Sequence, residues 1–256
     1  MPTGRDVGAV RYRAGVIGYL SIPTSAGVFD AIAAGPHDGR PVLLLHGFPE
    51  AAVEWEHQVA RLGNEGYRAV APDQRGYSPG VRPADVADYE MDHLVDDVVA
   101  MAGALEWSRF DLVGHDWGGA VAWWAADRHP DRLRTLTAVS TPHPRALGDA
   151  LRTDEDQAMR SQYMRDWRSS DTEKRMLADG GEPLRRMFEW KVPRGRVDDY
   201  LTRLSEPGAL TAALNWYRAS SPKAAIEAVT VPTLYVWSTE DVAFGSTAAL
   251  ATEQWV

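Results

Sequence analysis

Two glycines bracket an aspartate at two residues' distance on either side: Gly114-His115-Asp116-Trp117-Gly118. They lie within FDLVGHDWGGAVAWW, where a strand-like apolar run passes through a tight turn into a helix-like run. Glycines in those places permit a sharp, strained turn that lifts the central side chain above a sheet, the nucleophile elbow usually written with serine. A carboxylate there attacks saturated carbon rather than a carbonyl, and it leaves an ester. Gly-x-Asp-x-Gly alone is also a common surface turn. The apolar strand before Asp116 and the apolar helix after it favour the elbow.

A second loop, His46-Gly47-Phe48-Pro49-Glu50, directly follows the apolar run Val42–Leu45. A loop so placed gives one backbone N–H to an oxyanion hole, and the residue after the nucleophile gives the other. Phe48 and Trp117 are thus the expected oxyanion donors, and His46 and Pro49 are assigned to the pocket wall. Asp73-Gln74-Arg75-Gly76-Tyr77-Ser78 follows another strand-like run, and its Asp–Arg pair reads as a structural ion pair.

The elements that must position these residues follow from hydrophobic periodicity. Strands are expected at Val16–Ile22, Val28–Ala33, Val42–Leu45, Arg68–Ala71, Phe110–Val113, Leu133–Val139 and Thr233–Trp237. Helices are expected at Glu54–Leu62, closed by Gly63, at Met91–Leu105 and at Gly119–Arg128. In Met91–Leu105 the apolar residues Met91, Leu94, Val95, Val98, Met101, Ala102 and Leu105 recur at helical spacing. The alternation implies an α/β fold, a mostly parallel sheet with helices on both faces. From Arg145 to Pro222 the pattern is helical throughout. Such an insertion reads as a cap over the carboxyl edge of the sheet, where open α/β sheets bind ligands. The expected organisation is a core of residues 1–144 and 223–256 and an all-helical cap of residues 145–222.

Composition narrows the function classes. A formal net charge of -9 argues against a nucleic-acid partner. With no cysteine, disulfides, thiolate metal sites and a Cys nucleophile are excluded. The opening residues MPTGRDVGAV lack a signal-peptide core, and no apolar run is long enough to span a membrane, so a cytoplasmic protein is expected.

HGFPE, APDQRGYS, VGHDWGG and STPHP occur in the order and approximate spacing of the epoxide hydrolases of the α/β-hydrolase fold, and the chain resembles that family over nearly its whole length. The resemblance implies ring opening by an aspartate through a covalent hydroxyalkyl ester. Two cap tyrosines assist the departing oxygen, and a His–acid pair activates the water that cleaves the ester. Asp116 matches the nucleophile, Tyr217 in LNWYR the second cap tyrosine, Tyr163 in YMRDW the first, and Asp241 in STED the acid. A tyrosine, with a reference pKa near 10, stays protonated at neutral pH yet can assist a developing alkoxide. Trp216 and His143, the latter in TPHP, are further expected pocket residues. The implied partners are a small apolar epoxide and water; no metal or organic cofactor is implied.

The family's general-base histidine lies on a loop after a further strand, and no histidine follows Asp241. The last strand and final helix of the fold are therefore expected to be missing, turnover is in doubt, and an uncovered sheet edge favours self-association. Two other functions fit part of the pattern. A haloalkane dehalogenase would use Trp117 for halide, but usually carries an Asn where this chain has Phe48. A non-turnover binding protein would keep the pocket without the base.

Overall fold

The structure, a computed structural model, describes residues 16–188, 191–220 and 226–256. Seven strands form one sheet in the order β1-β2-β4-β3-β5-β6-β7. They are β1 Gly18–Thr24, β2 Gly27–Ala34, β3 Arg40–Leu45, β4 Tyr67–Pro72, β5 Phe110–His115, β6 Leu133–Val139 and β7 Thr233–Val236. β1 and β2 form a hairpin, and β2 runs antiparallel to β4. All the remaining pairs are parallel. The sheet is thus mostly parallel, as expected, and the chain has the α/β-hydrolase fold.

Alternate residues of each central strand serve opposite faces. Leu43 and Leu45 join the core under the helices α2 (Met91–Ala104) and α3 (Trp117–Arg128), whereas Val42 and Leu44 join the core under α1 (Glu56–Asn64). Both faces are covered, which is why the strands read as unbroken apolar runs. The α2 stripe Leu94, Val95, Val98, Met101 and Ala102 is buried as its periodicity predicts.

Two expectations shift. A 3-10 turn at Ala52–Trp55 precedes α1, so the helix starts later than expected and runs through Gly63. Gly63 is a point of close approach rather than a stop, because a Cβ there would meet the Ala34 Cβ at 2.7 Å and the Gly35 N at 2.8 Å. The turn is made instead by Gly66, at φ 85°. The Asp73–Arg75 ion pair does not form. The chain turns through Gly76 (φ 87°), and the two side chains find separate partners. Arg75 binds Asp97 of α2 through two nitrogens, each at 2.7 Å, while Asp73 takes the Ala52 N–H at 2.8 Å and Arg203 at 2.7 Å.

Between β6 and β7 the described residues are helical. The helices are α4 Pro144–Thr153, α5 Glu155–Arg160, α6 Gln162–Asp166, α7 Thr172–Met176, α8 Ala178–Arg186, α9 Arg194–Leu204 and α10 Ala209–Ala219. The junction expected at residues 222 and 223 lies outside the described residues. Helix α10 belongs to two cores at once. Ala212 and Trp216, four apart, join the sheet-side cluster, whereas Leu210, Ala213, Leu214 and Tyr217 join the cap cluster with Phe48. Arg203 to Asp73 and Arg82 to Glu206 tie cap to core by charge, at 2.7 and 3.2 Å. Beyond β7 the chain forms α11 (Ser246–Ala251), which packs on α4. Among the described residues β7 pairs only with β6. No described helix is long and apolar enough to cross a membrane.

The Gly63 contact makes a stability prediction. Gly63→Ala should lower stability by about 1–3 kcal/mol through overpacking against β2. Gly103→Ala, on α2 with open space around its Cβ, should be neutral or stabilising by up to about 1 kcal/mol. Urea denaturation midpoints of the two variants test this ordering.

Candidate active site

Asp116 stands between the end of β5 and the start of α3, at φ 48° and ψ -119°. A non-glycine residue in such a region costs on the order of 1–3 kcal/mol and persists only where its surroundings over-determine it. Here they do. A Cβ on Gly114 would lie 2.2 Å from the Gly118 carbonyl oxygen, and one on Gly118 would lie 2.2 Å from the Leu45 carbonyl oxygen. A Cβ on Gly47 would meet the Asp116 Cβ at 2.4 Å. The Gly118 N–H donates to the His46 carbonyl at 3.1 Å, and Thr141 Oγ1 donates to the Asp116 carbonyl at 2.7 Å. The glycines are therefore contact points between β3, the elbow and α3.

The carboxylate meets the two expected backbone donors. Phe48 N–H donates to Asp116 Oδ1 at 2.9 Å, and Trp117 N–H is the second donor. Burial pushes the Asp116 carboxyl above the usual range, while the His115 charge and these two N–H groups pull it back.

An aromatic wall faces Asp116. The Tyr217 ring lies 5.5 Å from Phe48, 5.1 Å from Trp117 and 5.1 Å from Trp167. Tyr163 lies 4.5 Å from Trp167 and 6.3 Å from Tyr217. Burial raises both hydroxyls, with the Asp116 charge adding to it, so both stay protonated. The Trp117 side chain hydrogen-bonds the Tyr217 hydroxyl. Trp216 stands behind this wall, with its indole N–H on the Arg75 carbonyl at 3.0 Å. Pro49 is buried after Phe48.

Asp241 follows β7 and is fixed by three donors. Ser140 Oγ reaches Oδ2 at 2.6 Å, and the N–H groups of Ala243 and Phe244 reach Oδ1 at 2.9 Å each. Its charge bears on Tyr163, which puts it on the same side of the site.

Two expected pocket residues do other work. His46 is buried, and burial lowers its pKa. Its Nε2 accepts from the Gln74 N–H at 3.1 Å, so Nδ1 carries the hydrogen toward the Gly47 carbonyl at 2.8 Å. It therefore buttresses the oxyanion loop from below, with Tyr77 at 4.4 Å. His143 caps α4, its Nδ1 accepting from Arg145 N–H at 3.2 Å and its Nε2 donating to the Glu227 carbonyl at 3.1 Å. Its ring stacks on Trp255, and burial pushes its pKa down to about 4. Both nitrogens being committed, it is a structural cap rather than a pocket residue.

The structure also brings up groups that sequence reasoning passed over. Glu54 Oε1 lies 2.6 Å from His115 Nδ1, and Glu50 joins them. Burial alone would lower His115, but Glu54 foremost, then Glu50 and Asp116, hold it up to about 10. Burial, with the Glu54 charge, raises Glu50 to about 8. Ligand-type atoms of Glu50, Glu54 and His115 lie within 4.8 Å of one another, and the Glu54–His115 pair joins two of them at 2.6 Å. The three line a cleft of about 580 Å³ whose other wall includes Pro193, Arg196 and Tyr200. Spacing carried a faint signal: Glu50 and Glu54 are four apart, as are Tyr163 and Trp167.

Comparisons with known proteins give the family and the fold. A family model described as alpha/beta hydrolase fold matches residues 40–256. The chain is 35% identical over 218 residues to the AB hydrolase superfamily protein YfhM of Bacillus subtilis, covering 82% of this chain and 76% of that one. It is 34% identical over 238 residues to Epoxide hydrolase 3 of Xenopus tropicalis, covering 88% of this chain but 64% of the frog protein, under two thirds of its length. Among solved structures, the Bacillus megaterium epoxide hydrolase in complex with an inhibitor superposes with a TM-score of 0.84 at 27% identity, over 93% of this chain and 88% of that one.

The buried cluster predicts how stability depends on pH. His115 is raised in the folded state, so its contribution is full below its unfolded value near 6.5 and is lost as pH rises toward about 10. Glu50, raised to about 8, also favours the protonated form and loses stability in the same direction. Urea midpoints should fall from about pH 4.5, where Glu50 begins to lose its share, to about pH 10, and His115→Gln should flatten the fall above about pH 6.5. Parallel curves for the two proteins would contradict the assignment.

Proposed function

The chain belongs to the α/β-hydrolase fold family, in its epoxide hydrolase branch, and on that premise we propose that it opens an epoxide through a covalent ester on Asp116. The observation carrying this reading is Asp116 Oδ1 held by the Phe48 N–H at 2.9 Å beneath Tyr163 and Tyr217. With Oδ1 held, Oδ2 attacks an epoxide carbon. The carbon–oxygen bond of the ring breaks, and its electron pair stays on the oxygen, which takes a proton from a cap tyrosine. The product is a 2-hydroxyalkyl ester. Water then adds to the ester carbonyl and gives a proton to the tyrosinate, Phe48 and Trp117 stabilise the tetrahedral oxyanion, and on collapse the departing alkoxide takes the carboxyl proton, releasing the diol and restoring carboxylate and tyrosine. The aromatic wall of Phe48, Trp117, Trp167 and the two tyrosines suits an apolar substrate.

A dehalogenase reading fits less well. Halide binding would call on the Trp117 indole, and that side chain is engaged by the Tyr217 hydroxyl. The hydrolytic half-reaction needs a group that activates water. Asp241 is held by Ser140, Ala243 and Phe244, while the histidines closest to the elbow are committed elsewhere, His46 to Gln74 and His115 to Glu54. General-base help is typically worth about a hundred- to ten-thousandfold.

Mass spectrometry tests both halves. A reactive epoxide should add its mass to the peptide carrying Asp116, Asp116→Asn should abolish the adduct, and the ester should persist over hours with little diol beyond one equivalent. Tyr217→Phe should slow alkylation by about a hundredfold, the typical cost of one preorganised donor. An adduct on another carboxylate, or an unaffected Tyr217→Phe rate, would remove the respective residue from the mechanism.

The proposed partners include a second copy of the chain. Among the described residues the outer strand β7 pairs only with β6, and it presents Leu234 and Val236, 58% and 45% exposed. Sedimentation should show concentration-dependent association, and a clean monomer across the concentration range would refute it.

A further inference from the structure

Glu54 stands where two short links meet. Its Oε2 accepts from the Gly47 N–H at 3.3 Å, and its Oε1 lies 2.6 Å from His115 Nδ1. Gly47 immediately precedes the oxyanion donor Phe48, and His115 immediately precedes Asp116. One carboxylate therefore touches both segments that meet at the nucleophile, the loop through its backbone and the elbow through the His115 ring. The contact is tight as well as polar, because Gly47 lies so close to Asp116 that it has no room for a Cβ.

We propose that Glu54 is a positioning residue: its carboxylate clamps the oxyanion loop to the elbow and fixes His115 as the cation beside Asp116. The proposal rests on the reading of Asp116 as nucleophile and adds to it a source for the positive charge that a buried nucleophilic carboxylate needs. Taking a carboxylate out of water disfavours its charged form, and an opposite charge within a few ångströms restores it. For Asp116 the burial effect is opposed first by His115 and then by the Phe48 and Trp117 N–H groups.

The groups around this pair leave the role to His115. From the oxyanion loop, Glu50 is raised to about 8 by burial and the Glu54 charge, which leaves it mostly uncharged at neutral pH. His46, lowered by burial, is a neutral hydrogen-bonding ring. From the cap and the β4 loop, Tyr77, Tyr163 and Tyr217 are all raised by burial and remain protonated. Across the cleft, Arg196 of α9 is paired with Glu56 and with Asp199, beside the protonated Tyr200, while His57 is bound to Glu56. The positive charge in contact with the elbow is thus the imidazolium of His115, and Glu54 is what holds it there.

The test uses the whole chain and two readouts. In the first, NMR follows the His115 ring, identified by its loss in His115→Gln, through a pH titration. Glu54→Gln keeps the shape and an acceptor for the Gly47 N–H but removes the charge, and should lower the His115 midpoint by roughly one to three pH units. Glu54→Asp, which keeps the charge, should move it much less. In the second, the rate of Asp116 alkylation by a reactive epoxide is measured against pH. Glu54→Gln should move the acid limb downward, because the Glu54 charge that raises Asp116 is gone while His115 is still protonated at that pH, and the half-saturating epoxide concentration should stay nearly constant. A uniform drop at every pH, with the limb in place, would show that Glu54 is merely structural. An unmoved His115 midpoint in Glu54→Gln would overturn the proposal outright. If the wild-type chain is not alkylated at all, the nucleophile assignment fails, and the titration by itself decides whether Glu54 holds His115 charged.

Discussion

The backbone of Asp116 is the constraint on which the rest of the site depends. An aspartate at φ 48° and ψ -119° does not rest there by local preference, and the chain holds it through contacts that only glycine allows. Gly114 faces Gly118, Gly118 faces the end of β3, and Gly47 faces Asp116 itself. These are non-local contacts among β3, β5 and α3, so the sheet register sets the elbow. The parallel pairing of Leu45 with Gly114 aligns the end of β3 with the start of the turn. Once that register is made, the Phe48 N–H reaches Asp116 Oδ1 with no further adjustment.

Burial then creates an electrostatic problem, and the fold resolves it with few charges. Glu50, Glu54 and Asp116 surround one imidazole at the half-buried wall of the cleft. Three ionised carboxyl groups there would repel one another in a medium of low polarity. Instead Glu50 is held mostly protonated, Glu54 pairs with His115, and Asp116 has two backbone donors as well as the neighbouring imidazolium. Nearby charges are tied off in the same way: Arg75 with Asp97, Asp73 with Arg203, Arg196 with Glu56.

The cap is joined to this site through one helix with two faces. Trp216 reaches inward to the Arg75 carbonyl, and Tyr217, the next residue, turns to the aromatic wall. Successive helical residues point about 100° apart, so anchoring Trp216 in the sheet-side core orients Tyr217 toward Asp116. Tyr163 meets Trp167 in a tilted contact and Tyr217 edge-on.

Much of this was legible in the residues themselves. The elbow, the oxyanion loop, the parallel sheet and the helical insertion each follow from local pattern, because a tight turn, a buried strand and an amphipathic helix demand particular residues at fixed spacing. The positions of Asp116, Phe48 and Trp117 followed from those patterns, and that of Tyr217 from the family resemblance. Partnership between residues distant in the chain was not legible. Asp73 and Arg75 lie two apart and yet bind Arg203 and Asp97, and Gly63, which looked like a helix stop, is a point of close packing on Ala34. His143 sits in a motif near the site but spends both ring nitrogens on α4 and Glu227, and Glu54 carries no motif at all yet reaches the elbow. Spacing along the chain specifies local geometry, whereas the partner of a charged or hydrogen-bonding side chain is decided by which elements the sheet and the cap bring within a few ångströms of it.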